Sequence, residues 1–150
     1  MTPINPSYMR GNPRVARAIV SVAGPIANLL MAVLFGLPIR LGLVELAEPG
    51  TILPSLYSFL TFGVFLNLLL FAFNLLPIPP LDGWSILMGI LPADLAYRLR
   101  PIEQYGFLIF IGVLFILPQL TGINLFGTVI DIVLRTMFPI ILGDFQGLFI

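Results

Sequence analysis

The amino-acid sequence predicts an all-α membrane protein: a bundle of three to four transmembrane helices, with a proline-broken helix carrying a Leu-Asp-Gly motif. Three observations predict it. Of the 150 residues, 59% are hydrophobic and only 9% are charged, where a soluble domain carries about 25% charged residues. The apolar residues fall in long uncharged runs, giving a mean hydropathy of +1.08, and a run of about 20 is what a helix needs to cross a bilayer. Three prolines and an aspartate in "NLLPIPPLDGW", residues 74–84, then interrupt one of those runs at its foot.

Composition excludes as well as predicts. Seven arginines, no lysine and seven acidic residues leave the chain without net charge. No basic face is clustered enough for nucleic acid, so no such partner is expected. The absence of cysteine removes disulfide and thiolate chemistry. The absence of histidine removes the commonest metal ligand and the usual general base near neutral pH. The opening "MTPINPSYMRGNPR" lacks the basic, apolar, small-residue order of a signal peptide and reads as a polar lead-in, residues 1–14.

The first apolar run covers residues 15–37, with Arg10, Arg14 and Arg17 before it and Arg40 after it. Within it "AGPIAN", residues 23–28, combines Gly24 and Ala27 for close helix approach, Pro25 as a bend and Asn28 as a polar group. Taken alone this is a packing motif. A polar stretch with Glu45 and Glu48 leads to the second run, residues 53–76. A mixed segment follows, in which Pro-Ala-Asp predicts a helix start at Asp94 and Arg98 and Arg100 come next. The third run is 105–117. The fourth, 123–142, holds Asp131 and Arg135, four residues apart and so able to pair on one face, which suits either a packed span or a helix lying at the interface. With no internal repeat, the whole chain reads as a single membrane domain.

Arginine placement gives an orientation. With the start of the first span cytoplasmic, Arg10, Arg14, Arg17, Arg98 and Arg100 lie inside and Arg40 outside, in keeping with the positive-inside bias. The second run then descends inward and delivers Asp82 near the cytoplasmic side.

Pro77, Pro79 and Pro80 each lack a backbone N–H and each would cost roughly 3 kcal/mol inside a helix. The carbonyls they release find no water in hydrocarbon, so such backbone persists only when buried in protein or lining a wet cavity. Asp82 adds roughly 2.5–3.5 kcal/mol at the bilayer centre and less toward the interface. This clustering of unfavourable choices points to a site; the plain alternative is a turn just outside the membrane, with Asp82 and Gly83 as ordinary turn residues. Asn67 and Asn74 are seven apart, about two helical turns, and share one face of the second span. Asn67 reads as helix–helix glue, and Asn74, one turn before the break, as a functional group.

Together these residues resemble the site-2 protease family of intramembrane zinc metalloproteases, in its compact form without a PDZ domain. "NLLPIPPLDG" resembles the family's second signature, with Asn74, the prolines and Leu81-Asp82-Gly83. Gly24, Pro25 and Asn28 resemble its Gly-Pro-x-x-Asn span, "INPSYMRGNPR" the linker before that span and "IEQYGFLIF" the helix after the signature, so that the likeness covers about residues 3–117. The resemblance implies one catalytic zinc, with Asp82 as its third protein ligand and Asn74 stabilising the oxyanion as a peptide bond is attacked. It implies single-span membrane proteins as substrates and a bacterial or archaeal cell membrane as the location. Homo-oligomerisation is compatible with it.

The chain also departs from the pattern. The family's first signature, His-Glu-x-x-His, supplies two zinc ligands and the general base, and this sequence contains no histidine. The expectation is therefore a C-terminal part of such a protease, needing a missing His-Glu-x-x-His segment as partner and not holding zinc alone. Two other readings stand beside it. One is a non-catalytic membrane protein of the same fold that binds transmembrane peptides. The other is a small transporter or channel, whose broken helices usually come in repeated pairs; this sequence shows one.

Overall fold

In a computed structural model the described residues, 13–44 and 55–143, are mostly helical, with no strand among them. The lead-in with Arg10, the stretch with Glu45 and Glu48 and the tail from residue 144 lie outside the described residues. Among the described residues four helices are long and apolar enough to cross a membrane: Pro13–Arg40, Leu56–Leu75, Ala93–Thr121 and Leu125–Leu142. The protein is an all-α membrane protein, as its composition predicts.

Helix α1 (Pro13–Arg40) starts on a proline, whose missing N–H costs nothing in the first turn. It ends on Gly42 at φ +67°. There the N–H of Leu43 reaches Pro38 O at 2.9 Å and that of Gly42 reaches Ile39 O at 3.0 Å, which satisfies carbonyls the helix would leave bare. Helix α2 (Leu56–Leu75) is capped by Ser55, whose Oγ accepts the N–H of Ser58 at 3.1 Å. After α2 come α3 (Asp82–Ile90) and a long rod. The rod joins α4 (Ala93–Leu99), a 3-10 stretch (Arg100–Tyr105), α5 (Gly106–Ile111), a π stretch (Gly112–Ile116) and α6 (Leu117–Thr121). The wide π turn falls just before Pro118, whose ring disturbs the carbonyl ladder four residues back. Helix α7 (Leu125–Leu142) stops at Gly143, φ +89°.

Several boundaries differ from the sequence reading, two of them for visible reasons. The first helix begins at Pro13, within the expected lead-in, because Arg14 and Arg17 find partners in the fold. The third span extends back from Tyr105 to Ala93, because its polar first turns pack through Ala96 onto Trp84 and Met88.

The chain packs as two compact units. Among the described residues the first comprises 13–25 and 74–124 and the second 26–44, 55–73 and 125–143, so α1 and α2 contribute to both. In the second unit Ala32, Val64 and Leu68 are fully enclosed, with Tyr57, Phe138, Ile141 and Leu142 closing around them. Lipid tails are as apolar as leucine, so this packing rests on close contact rather than on escape from water. Glycine supplies the closeness: a methyl on Gly63 would lie 2.6 Å from the Phe35 ring. Asp131 and Arg135 do pair, at 2.7 Å, on the exposed face of α7. The first unit has a smaller core of Trp84, Met88 and Ala96.

Candidate functional site

Helix α2 stops for reasons that can be followed residue by residue. Pro77 brings no N–H, and its ring would meet the carbonyl of Phe73 in a continuing helix. Short turns take over: Ile78 N–H donates to Leu76 O at 2.8 Å, Leu81 N–H to Ile78 O at 2.9 Å and Trp84 N–H to Leu81 O at 3.1 Å. The Pro79–Pro80 bond is cis. Leu81 is extended at φ −72°, ψ 159°, and α3 begins at Asp82, which places the carboxylate in a first turn, where the helix dipole favours negative charge.

Two glycines fix where that carboxylate stands. Gly83 is buried on the last carbonyls of α2: a methyl there would lie 2.5 Å from Leu75 O and would also strike Leu76 O. Any side chain at 83 would push α3 off the end of α2. Gly24 of α1 faces Asp82 itself, and a methyl on it would lie 2.5 Å from Asp82 Oδ2. Further along, a methyl on Gly89 would collide with Ala18. Gly24 thus meets the start of α3 and Ala18 its end, so the two helices run antiparallel. At 1.5 Å per residue Gly24 lies about 16 Å along α1 from Pro13. Asp82 stands at that depth, half-buried, and α3 returns toward the start of α1. There Arg17 meets Glu103 at 3.7 Å and Arg14 donates to Leu91 O at 3.4 Å. The break turns the chain back so that α3 packs alongside α1.

The first unit brings together most of the residues singled out from sequence. Pro79 is buried with Gly106 against it, where a methyl would lie 2.9 Å from Pro79 Cβ. Pro77 and Pro80 are exposed and Leu81 is half-buried. Pro25 is buried within an unbroken α1, and Asn74 is half-buried in the last turn of α2. Asn28 and Asn67 belong to the second unit. The Asn67 amide donates to Gly63 O on its own helix at 2.8 Å. Sequence reasoning missed the links that hold the first unit around Asp82, above all Trp84 Nε1–H donating to Glu103 at 3.2 Å. Their separation of 19 residues across two elements leaves no periodic signal.

A carboxylate oxygen is a normal zinc ligand, but a catalytic zinc takes three protein ligands and keeps a position open for water. Among the described residues no group of three or more His, Cys, Asp or Glu is placed to hold a metal ion, and the sequence has no His or Cys. Asp82 fits one ligand position; these residues do not form a complete donor set.

Comparison with known proteins bears on which chemistry the site serves. The model of peptidase family M50 matches residues 40–118, more than half of the chain. "Putative zinc metalloprotease YwhC" of Bacillus subtilis is 37% identical over 117 residues, which cover 77% of this chain and 52% of that protein. "Putative zinc metalloprotease Rip2" of Mycobacterium tuberculosis is 40% identical over 106 residues, 71% of this chain and 38% of that protein. The chain therefore spans about half the length, or less, of the curated relatives it matches. No solved structure matches it significantly. The family match runs through the proline break, Asp82 and Gly83, and with it the chain belongs to peptidase family M50, the site-2 protease family its motifs resemble.

Proposed function

We propose that this chain is the Asp-bearing part of an intramembrane zinc metalloendopeptidase that hydrolyses peptide bonds of membrane-spanning substrates, and that it is inactive alone. The observation that carries the reading is the half-buried Asp82 carboxylate, set against Gly24 well along a spanning helix by a proline-broken segment. Among the described residues no ion pair is made by Asp82; a carboxylate inside a span is expensive, and a metal ion is a partner that offsets that cost. In this reading Asp82 holds one coordination position of a zinc ion, and the remaining ligands and the general base come from residues outside these 150. Zinc when bound lowers the pKa of its water and polarises the scissile carbonyl. Asn74 offers its amide N–H to the oxyanion that forms at that carbonyl. Pro77, Pro79 and Pro80 keep the segment from closing into a helix, so that water and an unwound stretch of substrate reach the carboxylate. Gly24 and Gly83 fix its position. The substrates are single-span membrane proteins, and the motif faces the cytoplasmic side of a bacterial or archaeal cell membrane.

The chain is tested alone and co-expressed with a His-Glu-x-x-His helix taken from a relative such as the Bacillus subtilis protein. Zinc content and cleavage of a single-span reporter are the readouts. The chain alone is expected to hold no stoichiometric zinc, the pair to hold one ion and cleave, and Asp82→Ala to abolish both. Full zinc loading of the pair carrying Asp82→Ala would overturn the assignment. Reporter binding by the chain alone, with no zinc or cleavage in the pair, would favour a non-catalytic peptide-binding relative, a reading supported by the absence of histidine.

A further inference from the structure

The end of the first unit away from Gly24 holds a cavity of about 460 Å³, within the range of about 300–1,000 Å³ usual for small-molecule sites. Three arginines line it: Arg14 and Arg17 from the first turns of α1 and Arg100 from the start of the 3-10 stretch. Glu103 is the one carboxylate among the lining residues, and it is already engaged by Trp84 and Arg17. Arg14 also lends an N–H to Leu91 O, which holds its guanidinium in the cavity wall. Met88 and Ala96 make the wall apolar between these charges.

A cavity with three guanidinium groups and one engaged carboxylate selects an anion, and the planar fork of arginine matches phosphate oxygens. Its place in the fold narrows the choice. Arg14 and Arg17 open one candidate span and Arg100 lies near the start of another, the level at which lipid phosphates lie. Beyond the charges the same helices present large exposed apolar side chains, Ile19 at 67% and Phe107 at 68% exposure. A free phosphate would use only the charges, whereas a phospholipid uses the charges and the adjoining apolar surface. Basic pockets between transmembrane helices are suited to such headgroups. We propose that this cavity binds the headgroup of an anionic phospholipid, with the phosphate held by Arg14, Arg17 and Arg100.

The full chain in non-ionic detergent is titrated with phosphatidylglycerol, phosphatidylcholine and inorganic phosphate. Bound lipid is read by native mass spectrometry, and the emission of Trp84, the single tryptophan, reports the cavity through its bond to Glu103. Phosphatidylglycerol is expected to form one saturable adduct, displaced neither by phosphatidylcholine nor by millimolar phosphate. Arg17→Gln and Arg100→Gln should each weaken it about fivefold, and the triple variant with Arg14→Gln on the order of 100-fold. Arg40→Gln, at the other end of α1, should leave it unchanged. Arg17→Lys keeps the charge and most of the affinity, which separates loss of charge from loss of fold should the triple variant not fold. Equal binding of the two lipids, or wild-type affinity in Arg17→Gln and Arg100→Gln, would overturn the proposal. Displacement by inorganic phosphate would do so too, by making the site one for a soluble anion.

Discussion

In the second unit Ala32, Val64 and Leu68 are enclosed by other side chains, whereas close approaches of the first unit put backbone carbonyls against Gly83, a carboxylate against Gly24 and the Ala18 methyl against Gly89. The difference decides how each responds to change. Side chains give way by rotating, so a core made of them absorbs small alterations at modest cost. Backbone carbonyls at a helix end do not rotate away, so a glycine packed on them accepts no substituent. Rigidity of that second kind holds a functional group in one place. The first unit, with its small core and broken helix, is built for position; the second is built for packing.

Substitutions break or sharpen this comparison. Gly83→Ala should be the most damaging, about 3 kcal/mol or more, since its methyl meets the backbone of Leu75 and Leu76 and overpacking against atoms able to move already costs 1–3 kcal/mol. Detergent unfolding by SDS titration measures it, and a near-neutral result would mean that α3 can slide along the end of α2. Leu68→Ala should cost about 2 kcal/mol, the low end for a fully buried leucine, because in lipid the loss is packing rather than transfer from water. Zinc loading of the pair should survive it at temperatures where the variant remains folded.

Gly24→Ala should destabilise the chain by only about 1 kcal/mol, because its methyl meets the end of a carboxylate that can turn. It should still impair zinc loading of the pair, by turning the ligand oxygen away. A loss of stability without a loss of zinc would separate Gly24 from the site. The smallest effect belongs to Glu103→Gln, which keeps an acceptor for Trp84 Nε1–H but removes the charge facing Arg17; about 0.5 kcal/mol is expected for a partly exposed ion pair, with the second unit's amide-exchange protection unaltered.

Much of this was legible beforehand because lipid leaves the chain few options. Apolar runs must be helices, and the prolines at 77, 79 and 80 must end one, whatever surrounds them. Leu81-Asp82-Gly83 could be read as a family likeness, and the match to family M50 over residues 40–118 agrees with that reading. What Asp82 stands against was harder to see: α3 folds back beside α1 and starts level with Gly24. Pro-Ala-Asp gave the helix start near Asp94, but that this helix continues into the third span rests on contacts far apart in sequence, with Trp84 and Arg17 holding Glu103.

The sequence by itself determined that this protein is helical and spans a membrane, that one span is broken around a carboxylate and that histidine ligands are absent from these 150 residues. Those are consequences of composition, run length and missing proline N–H groups, all local. Only the tertiary structure decided that Gly24 meets Asp82, that Gly83 sits on the end of α2 and that three arginines share one cavity. The first and the last depend on the antiparallel register between α1 and α3 and on how the rod packs beside them, and the second on how the turns after Leu75 fold back. Register is set by the summed fit of side chains far apart in sequence, and no local pattern encodes it.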